Sequence, residues 1–284
     1  MSSDITSERV ELTVDGDDVD LHYKTGGNGP PLVFLHGIGL DAATVSWRHA
    51  LPAMAAERTV YAPDLPGHGE SDKPNRAYTT DYYLETVESF LDAVGVTDPA
   101  MVGLSMGGAL ALGHALVGGS VERLVLVNSY GLGKDAYWRT AASGIFQTPL
   151  LGNMLWQGVS SSKPAIRTGL RSMGATEPPQ QLVEDVDSVV DRRTVRAMRR
   201  WQRSEFRRTG FRTNYVDRLG ELSVPTLLIH GDEDPLLPPS WSRRAATRVA
   251  ESRLELVENC GHCPPRERPE WFNSAMRAFC VAGE

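Results

Sequence analysis

One serine, Ser105, stands in the run Val102-Gly103-Leu104-Ser105-Met106-Gly107-Gly108, with a glycine two residues away on each side. That G-x-S-x-G spacing suits a tight strand-to-helix turn, which holds the hydroxyl clear of a sheet edge where it can attack a carbonyl carbon. Glycine is needed at both flanks because a Cβ there would collide with the crossing strand or helix. The context agrees. Pro99-Ala100-Met101-Val102 reads as a short buried strand, and residues 106–117 read as a buried helix of small residues.

A serine hydroxyl is inert at its free pKa, so a base must take its proton and a third group must orient that base. Both kinds of residue occur in the C-terminal third. An apolar strand at 224–231 runs into Asp232-Glu233-Asp234, three carboxylates in one loop, and residues 253–257 alternate like a strand before Cys260-Gly261-His262. The acids and the histidine each follow a strand, and loops at the carboxyl ends of parallel strands are where such sheets gather a site. Serine, acid and histidine in that order would carry out acyl transfer, with His262 as base.

The elements that must position these groups alternate along the chain. Val10-Glu11-Leu12-Thr13-Val14 and Val19-Asp20-Leu21-His22-Tyr23 alternate by twos around Asp15-Gly16-Asp17-Asp18, a hairpin signal. Short apolar runs at 31–35, 59–62 and 124–127 read as buried parallel strands. Helical patterns fall at 46–57, 80–94, 106–117, 241–250 and 269–280. The expected fold class is α/β, a mostly parallel, doubly wound sheet of about eight strands. Residues 130–214 break the rhythm, with Gly/Pro interruptions, helical patterns and no strand-like run. They read as a helical cap inserted after the sixth strand, leaving 1–129 and 215–284 as the core. Trp138, Trp156, Trp201 and Phe206 give that cap apolar anchors, as a lid over an apolar cavity requires.

Four further motifs carry a family resemblance. They are Leu35-His36-Gly37-Ile38-Gly39, the loop Asp64-Leu65-Pro66-Gly67-His68-Gly69-Glu70-Ser71-Asp72, Gly231 to Asp234 followed by Pro238, and Gly261-His262 followed by Pro269-Glu270. In this order and spacing, around the serine turn, the chain resembles the α/β-hydrolase fold superfamily over nearly its whole length. The resemblance implies a Ser105, Asp234, His262 triad, because the acid pattern counted from Gly231 selects Asp234 over Asp232 and Glu233. It also implies an oxyanion hole built from the backbone N–H groups of Ile38 and Met106. Carboxylic ester hydrolysis through an acyl-enzyme is the expected reaction. The alternative is carbon–carbon hydrolysis of the meta-cleavage product type, and more remotely acyl transfer or perhydrolysis. The carbon–carbon hydrolases carry Asn before the nucleophile and Trp after the histidine, where this chain has Leu104 and Cys263. Dehalogenases and epoxide hydrolases of this fold use aspartate at the turn, and receptors derived from it lose a triad residue. Neither departure occurs here.

Composition bounds the rest. With 284 residues and 41% hydrophobic content the chain can bury a sizeable core. A formal charge of −7 argues against nucleic-acid binding, no apolar run reaches the length of a membrane span, and the N-terminus lacks a signal-peptide layout, so a cytoplasmic protein is expected. Three late cysteines imply no disulfide framework. Cys260, His262 and Cys263 lack a second ligand pair at zinc spacing, so neither metal nor cofactor is expected; the partner is a small-molecule ester or acyl compound. Arg192, Arg196, Arg199 and Arg203 recur at helical spacing, and are read as a solvated face in preference to a carboxylate grip.

Overall fold

The computed structural model describes residues 4–136, 144–145, 147–174, 176–207 and 210–281. Trp138 lies outside these residues. Strands β1 (Thr6–Val14) and β2 (Asp17–Gly26) form the N-terminal hairpin, closed by Asp15 and Gly16 at φ 50° and 79°. Two adjacent positive φ values are what a two-residue hairpin turn with the right twist demands, and Asp-Gly supplies them cheaply. Six more strands follow: β3 (Pro31–Leu35), β4 (Thr59–Pro63), β5 (Ala100–Leu104), β6 (Arg123–Val127), β9 (Thr226–Gly231) and β10 (Ser252–Val257). The sheet order is β1-β2-β4-β3-β5-β6-β9-β10, antiparallel at β1/β2/β4 and parallel from β4 onward.

The central strands are apolar throughout because both faces are covered. Val33 and Leu35 of β3 pack with Tyr83, Phe90 and Leu110 on one side, while Leu32 and Phe34 pack with Trp47, Phe272 and Met276 on the other. Helices α3 (Thr80–Ala93) and α4 (Met106–Leu116) cover the first face, and α11 (Pro269–Cys280) serves the second. The single helix expected at 46–57 is instead α1 (Ala43–Ser46) and α2 (Ala50–Met54). The break follows from the Asp41 to Trp47 turn, which starts the first helix earlier to reach a buried carboxylate described below.

Between β6 and β9 run α5 (Pro149–Val159), α6 (Lys163–Arg171), α7 (Gln180–Val189) and α8 (Arg192–Glu205). The expectation of no strand here fails in one place. Phe206–Arg207 (β7) pairs with Gly210–Phe211 (β8), where the two phenylalanine rings meet edge to face across the ladder and Gly210 takes φ 146°. Ile166, Leu170, Val183 and Val186 of this insertion pack on Leu40, Ala42 and Val45. The remaining helices are α9 (Pro239–Ala246) and the short α10 (Pro264–Glu267), which directly follows His262. Among the described residues no helix is long and apolar enough to cross a membrane.

Candidate active site

Ser105 sits between β5 and α4 with φ 54° and ψ −113°. A left-handed backbone on a β-substituted residue costs about 1–3 kcal/mol and persists only where its surroundings enforce it. Here they do: a Cβ on Gly103 would lie 2.2 Å from Gly107 O, and one on Gly107 would lie 2.1 Å from Leu35 O. The turn is also held by Ser105 N donating to Val127 O at 3.0 Å. The Ser105 hydroxyl itself forms no hydrogen bond among the described residues.

His262 and Asp234 meet. Nδ1 of His262 lies 2.8 Å from Asp234 Oδ2, and both residues are buried. Their loops touch at Gly231, where a Cβ would sit 2.1 Å from Gly261 O. Asp232 and Glu233 are exposed, and although Asp232 accepts from Cys260 N at 3.4 Å, of the three carboxylates only Asp234 reaches the histidine. Gly231→Ala therefore forces the two loops apart. Overpacking of this kind destabilises by about 1–3 kcal/mol, and we expect a lower Tm together with a larger loss in kcat than in KM. Calorimetry and steady-state kinetics would check this; an unchanged kcat would show that the loop contact does not matter.

The surroundings of Asp234 hold it ionised. Burial alone would raise its pKa, but the charge of His262 and hydrogen bonds from His230 and His262 outweigh that and hold the carboxyl well below the usual range. It also accepts from Asn128 Nδ2 at 2.7 Å and from the N–H groups of Leu236 and Leu237 at 2.8 and 3.1 Å. His230 is buried near the end of β9 and brings Nε2 within 3.3 Å of the same carboxylate. Asn128 was not legible as a site residue; its only signal was its place immediately after β6.

Two more carboxylates, the half-buried Glu267 and the buried Asp41, fix the loops. Glu267 accepts from the N–H groups of Gly261 and Cys263, clamping both neighbours of His262. Asp41 accepts from Gly37 N at 3.0 Å, next to Ile38, and pairs with the buried Arg266 of α10. The His36-Gly37 loop and the segment after His262 are thus tied to one ion pair. His262 N donates to Met173 O at 2.8 Å, which connects the histidine to the helical insertion. The N–H groups of Ile38 and Met106 form no hydrogen bond among the described residues, and Met106 opens α4, where helix N–H groups lack intrahelical partners.

In the loop after β4, Asp64 accepts from Ala43 N and Glu70 N and meets His22 Nδ1 at 2.8 Å, so it organises the turn beside the site. Cys260 and Cys263 are buried free thiols, and burial pushes Cys263 up to about 12. Among the described residues no three His, Cys, Asp or Glu side chains converge as a metal-binding group.

A cavity of about 310 Å³ opens above Ser105 and His262. Ile38, Leu40 and Leu237 line it from one side, and Leu155, Trp156 and Trp201 from the insertion. The arginine stripe stays outside it. Arg192 and Arg203 are exposed, while Arg196 donates to Lys73 O and the neighbouring Arg200 to Arg76 O. The half-buried members thus fasten α8 to the loop following β4, which a wholly solvated face would not do. Since none lines the cavity, Arg196→Gln with Arg199→Gln is expected to leave the ratio of kcat/KM on acidic and neutral substrates within about threefold of the parent. A tenfold selective loss on acidic substrates would contradict that placement.

The family model described as the alpha/beta hydrolase family matches residues 32–275. This chain is an alpha/beta hydrolase. Among curated relatives of this hydrolase, an uncharacterised protein of Mycobacterium tuberculosis is 30% identical, over 90% of this chain and 77% of that one. A 2-hydroxymuconate semialdehyde hydrolase of a Pseudomonas species is 29% identical, over 96% and 94%. Among solved structures, a meta-cleavage product hydrolase from Pseudomonas fluorescens superposes with a TM-score of 0.79 at 25% identity, covering 97% of this hydrolase and 98% of that chain.

Proposed function

We propose that this hydrolase cleaves a neutral, largely apolar carboxylic ester through an acyl-enzyme formed on Ser105. The observation that carries the reading is the cavity lining. Apart from His262 it contains no ionisable acid or base of the Asp, Glu, Lys or Arg kind among the described residues. A substrate carboxylate there would meet no lining cation, because Arg266 lines not this cavity but a small adjoining pocket at Ser105 and His262 and is already paired with Asp41, and burying an unpaired charge costs several kcal/mol. A neutral acyl chain fits the aromatic and aliphatic walls.

In this reading Ser105 Oγ attacks the ester carbon while His262 takes its proton, and the carbonyl π pair moves onto oxygen. The N–H groups of Ile38 and Met106 stabilise that oxyanion, each donor worth about 2.7–4 kcal/mol in comparable sites. Collapse of the intermediate breaks the ester C–O bond, and His262 returns the proton to the departing alkoxide. Water then repeats the sequence on the acyl-enzyme and releases the acid. Asp234 holds the imidazole in the correct tautomer and stabilises its cationic form. Residues 130–214 serve as the cap over this site and 1–129 with 215–284 as the core, a division supported by a cavity lined from both.

A second reading has its own support. Relatives of similar length act on ring-fission products, among them the 2-hydroxymuconate semialdehyde hydrolase and a 2-hydroxy-6-oxo-6-(2'-aminophenyl)hexa-2,4-dienoic acid hydrolase at 26% identity. On similarity to named proteins, carbon–carbon hydrolysis is favoured; on the chemistry of the cavity, the neutral ester is. The same Ser105 and His262 would serve either bond. A panel of p-nitrophenyl esters of graded chain length, run beside a chromogenic ring-fission dienoate, separates them. Ester turnover without dienoate cleavage supports the first, and the reverse result replaces it with the second.

A further inference from the structure

Away from the reacting end, the cavity wall holds one side-chain hydrogen-bond donor, among the described residues, that the fold leaves uncommitted. Gln202, on α8, is buried and lines the cavity. Its Oε1 accepts from Trp156 Nε1 at 2.7 Å. An indole N–H only donates, so the carboxamide oxygen must face Trp156 and the NH₂ must point the other way. The orientation, ordinarily ambiguous for a glutamine, is therefore fixed by chemistry. Gln202 Nε2 has no partner among the described residues.

The other polar side chains of the wall are already used. Ser172 Oγ donates to Gly169 O, Tyr130 OH donates to Glu205, and Trp201 Nε1 donates to Thr80 Oγ1. Among the described lining residues, only the side chains of Ser105, His262 and Gln202 keep a polar group free of such a commitment, and the first two belong to the proposed reacting end. The Gln202 amide nitrogen keeps access to the cavity, and a ligand oxygen placed against it completes a hydrogen bond in an apolar setting.

We propose that Gln202 Nε2 is a recognition donor for a neutral acceptor, a carbonyl or ether oxygen carried in the substrate's chain. The inference rests on the ester reading for its substrate class, which becomes oxygen-bearing acyl or alkyl esters as opposed to plain hydrocarbon ones. A carboxylate is a poor match for the same position, because one neutral N–H donor leaves most of its lone pairs unsatisfied in an apolar cavity.

Binding to the Ser105→Ala protein tests this without turnover, so the outcome does not depend on which bond the enzyme breaks. The ligands are p-nitrophenyl alkanoates and analogues in which one methylene is replaced by a carbonyl at each successive position, with Kd read by calorimetry. At one position the oxo ligand is expected to bind roughly three- to tenfold tighter than its hydrocarbon parent, the range of a single neutral hydrogen bond. In Ser105→Ala/Gln202→Glu, read where the new carboxylate is ionised, residue 202 still accepts from Trp156 but no longer donates. In Ser105→Ala/Gln202→Met it does neither. In both proteins the oxo-to-parent ratio should fall to about one. A ratio near one at every position in Ser105→Ala, a preference that survives both substitutions, or no binding by any ligand of the series overturns the proposal. Failure of the ester reading shows instead as absent turnover in the ester panel.

Discussion

Ser105→Ala is expected to lower kcat/KM by about 10⁴–10⁶-fold while leaving the fold intact, in line with what removal of a triad serine costs elsewhere. Stability should barely move, because the hydroxyl makes no hydrogen bond among the described residues. Alanine inherits the same backbone strain at φ 54°. Glycine does not, so Ser105→Gly should be at least as stable as Ser105→Ala even though it frees the unfolded chain. A fluorophosphonate probe should label Ser105 in the parent protein and nothing in either variant. Full activity in Ser105→Ala, or labelling at another residue, would remove Ser105 from the mechanism.

The second large effect is at the acid. Asp234→Asn should lower kcat by about 10⁴-fold, as expected when the histidine is left in the wrong tautomer. Asp232→Asn and Glu233→Gln should change it little, since both side chains are exposed and neither meets His262. The substitution also has a signature in stability against pH. Asp234 is depressed below its ordinary value of 3.8 in the folded protein. A depressed acid contributes stability that is fully present above its unfolded pKa and is lost as pH falls through the folded one. The stability difference between parent and Asp234→Asn should therefore be constant from neutral pH down to about 5 and shrink below about 4. A difference that grows on acidification would reverse the sign of the assigned shift. If Asp232→Asn proves the crippling change, the acid has been placed at the wrong residue.

The proposed reacting groups are easier to read from the sequence than the residues that support them. Gly103, Gly107 and Gly231 announced the site because only glycine tolerates backbone atoms about 2 Å from a Cβ, and those constraints are local in sequence. Ser105, Asp234 and His262 inherit their legibility from such neighbours. Asn128, His230, Asp41, Arg266 and Glu267 carry no comparable local mark. Each becomes meaningful only when the sheet brings distant segments together, as when Asn128 and Asp234 meet across a separation of 106 residues. The split of the helix expected at 46–57 has the same origin: Ser46 is drawn to the Asp41 carboxylate, a tertiary partner that outweighs helix propensity. The β7/β8 pair was missed because two residues per strand are too few for any alternation to register.

The hydrogen bond from His262 N to Met173 O ties the helical insertion to the proposed base. Any outward swing of the insertion that takes Met173 with it must break this bond, at a net cost of about 0.5–1.5 kcal/mol, and strips the histidine's own backbone of a partner. In the proposed mechanism, any movement of the insertion that carries Met173 and the setting of His262 are therefore coupled through this one bond.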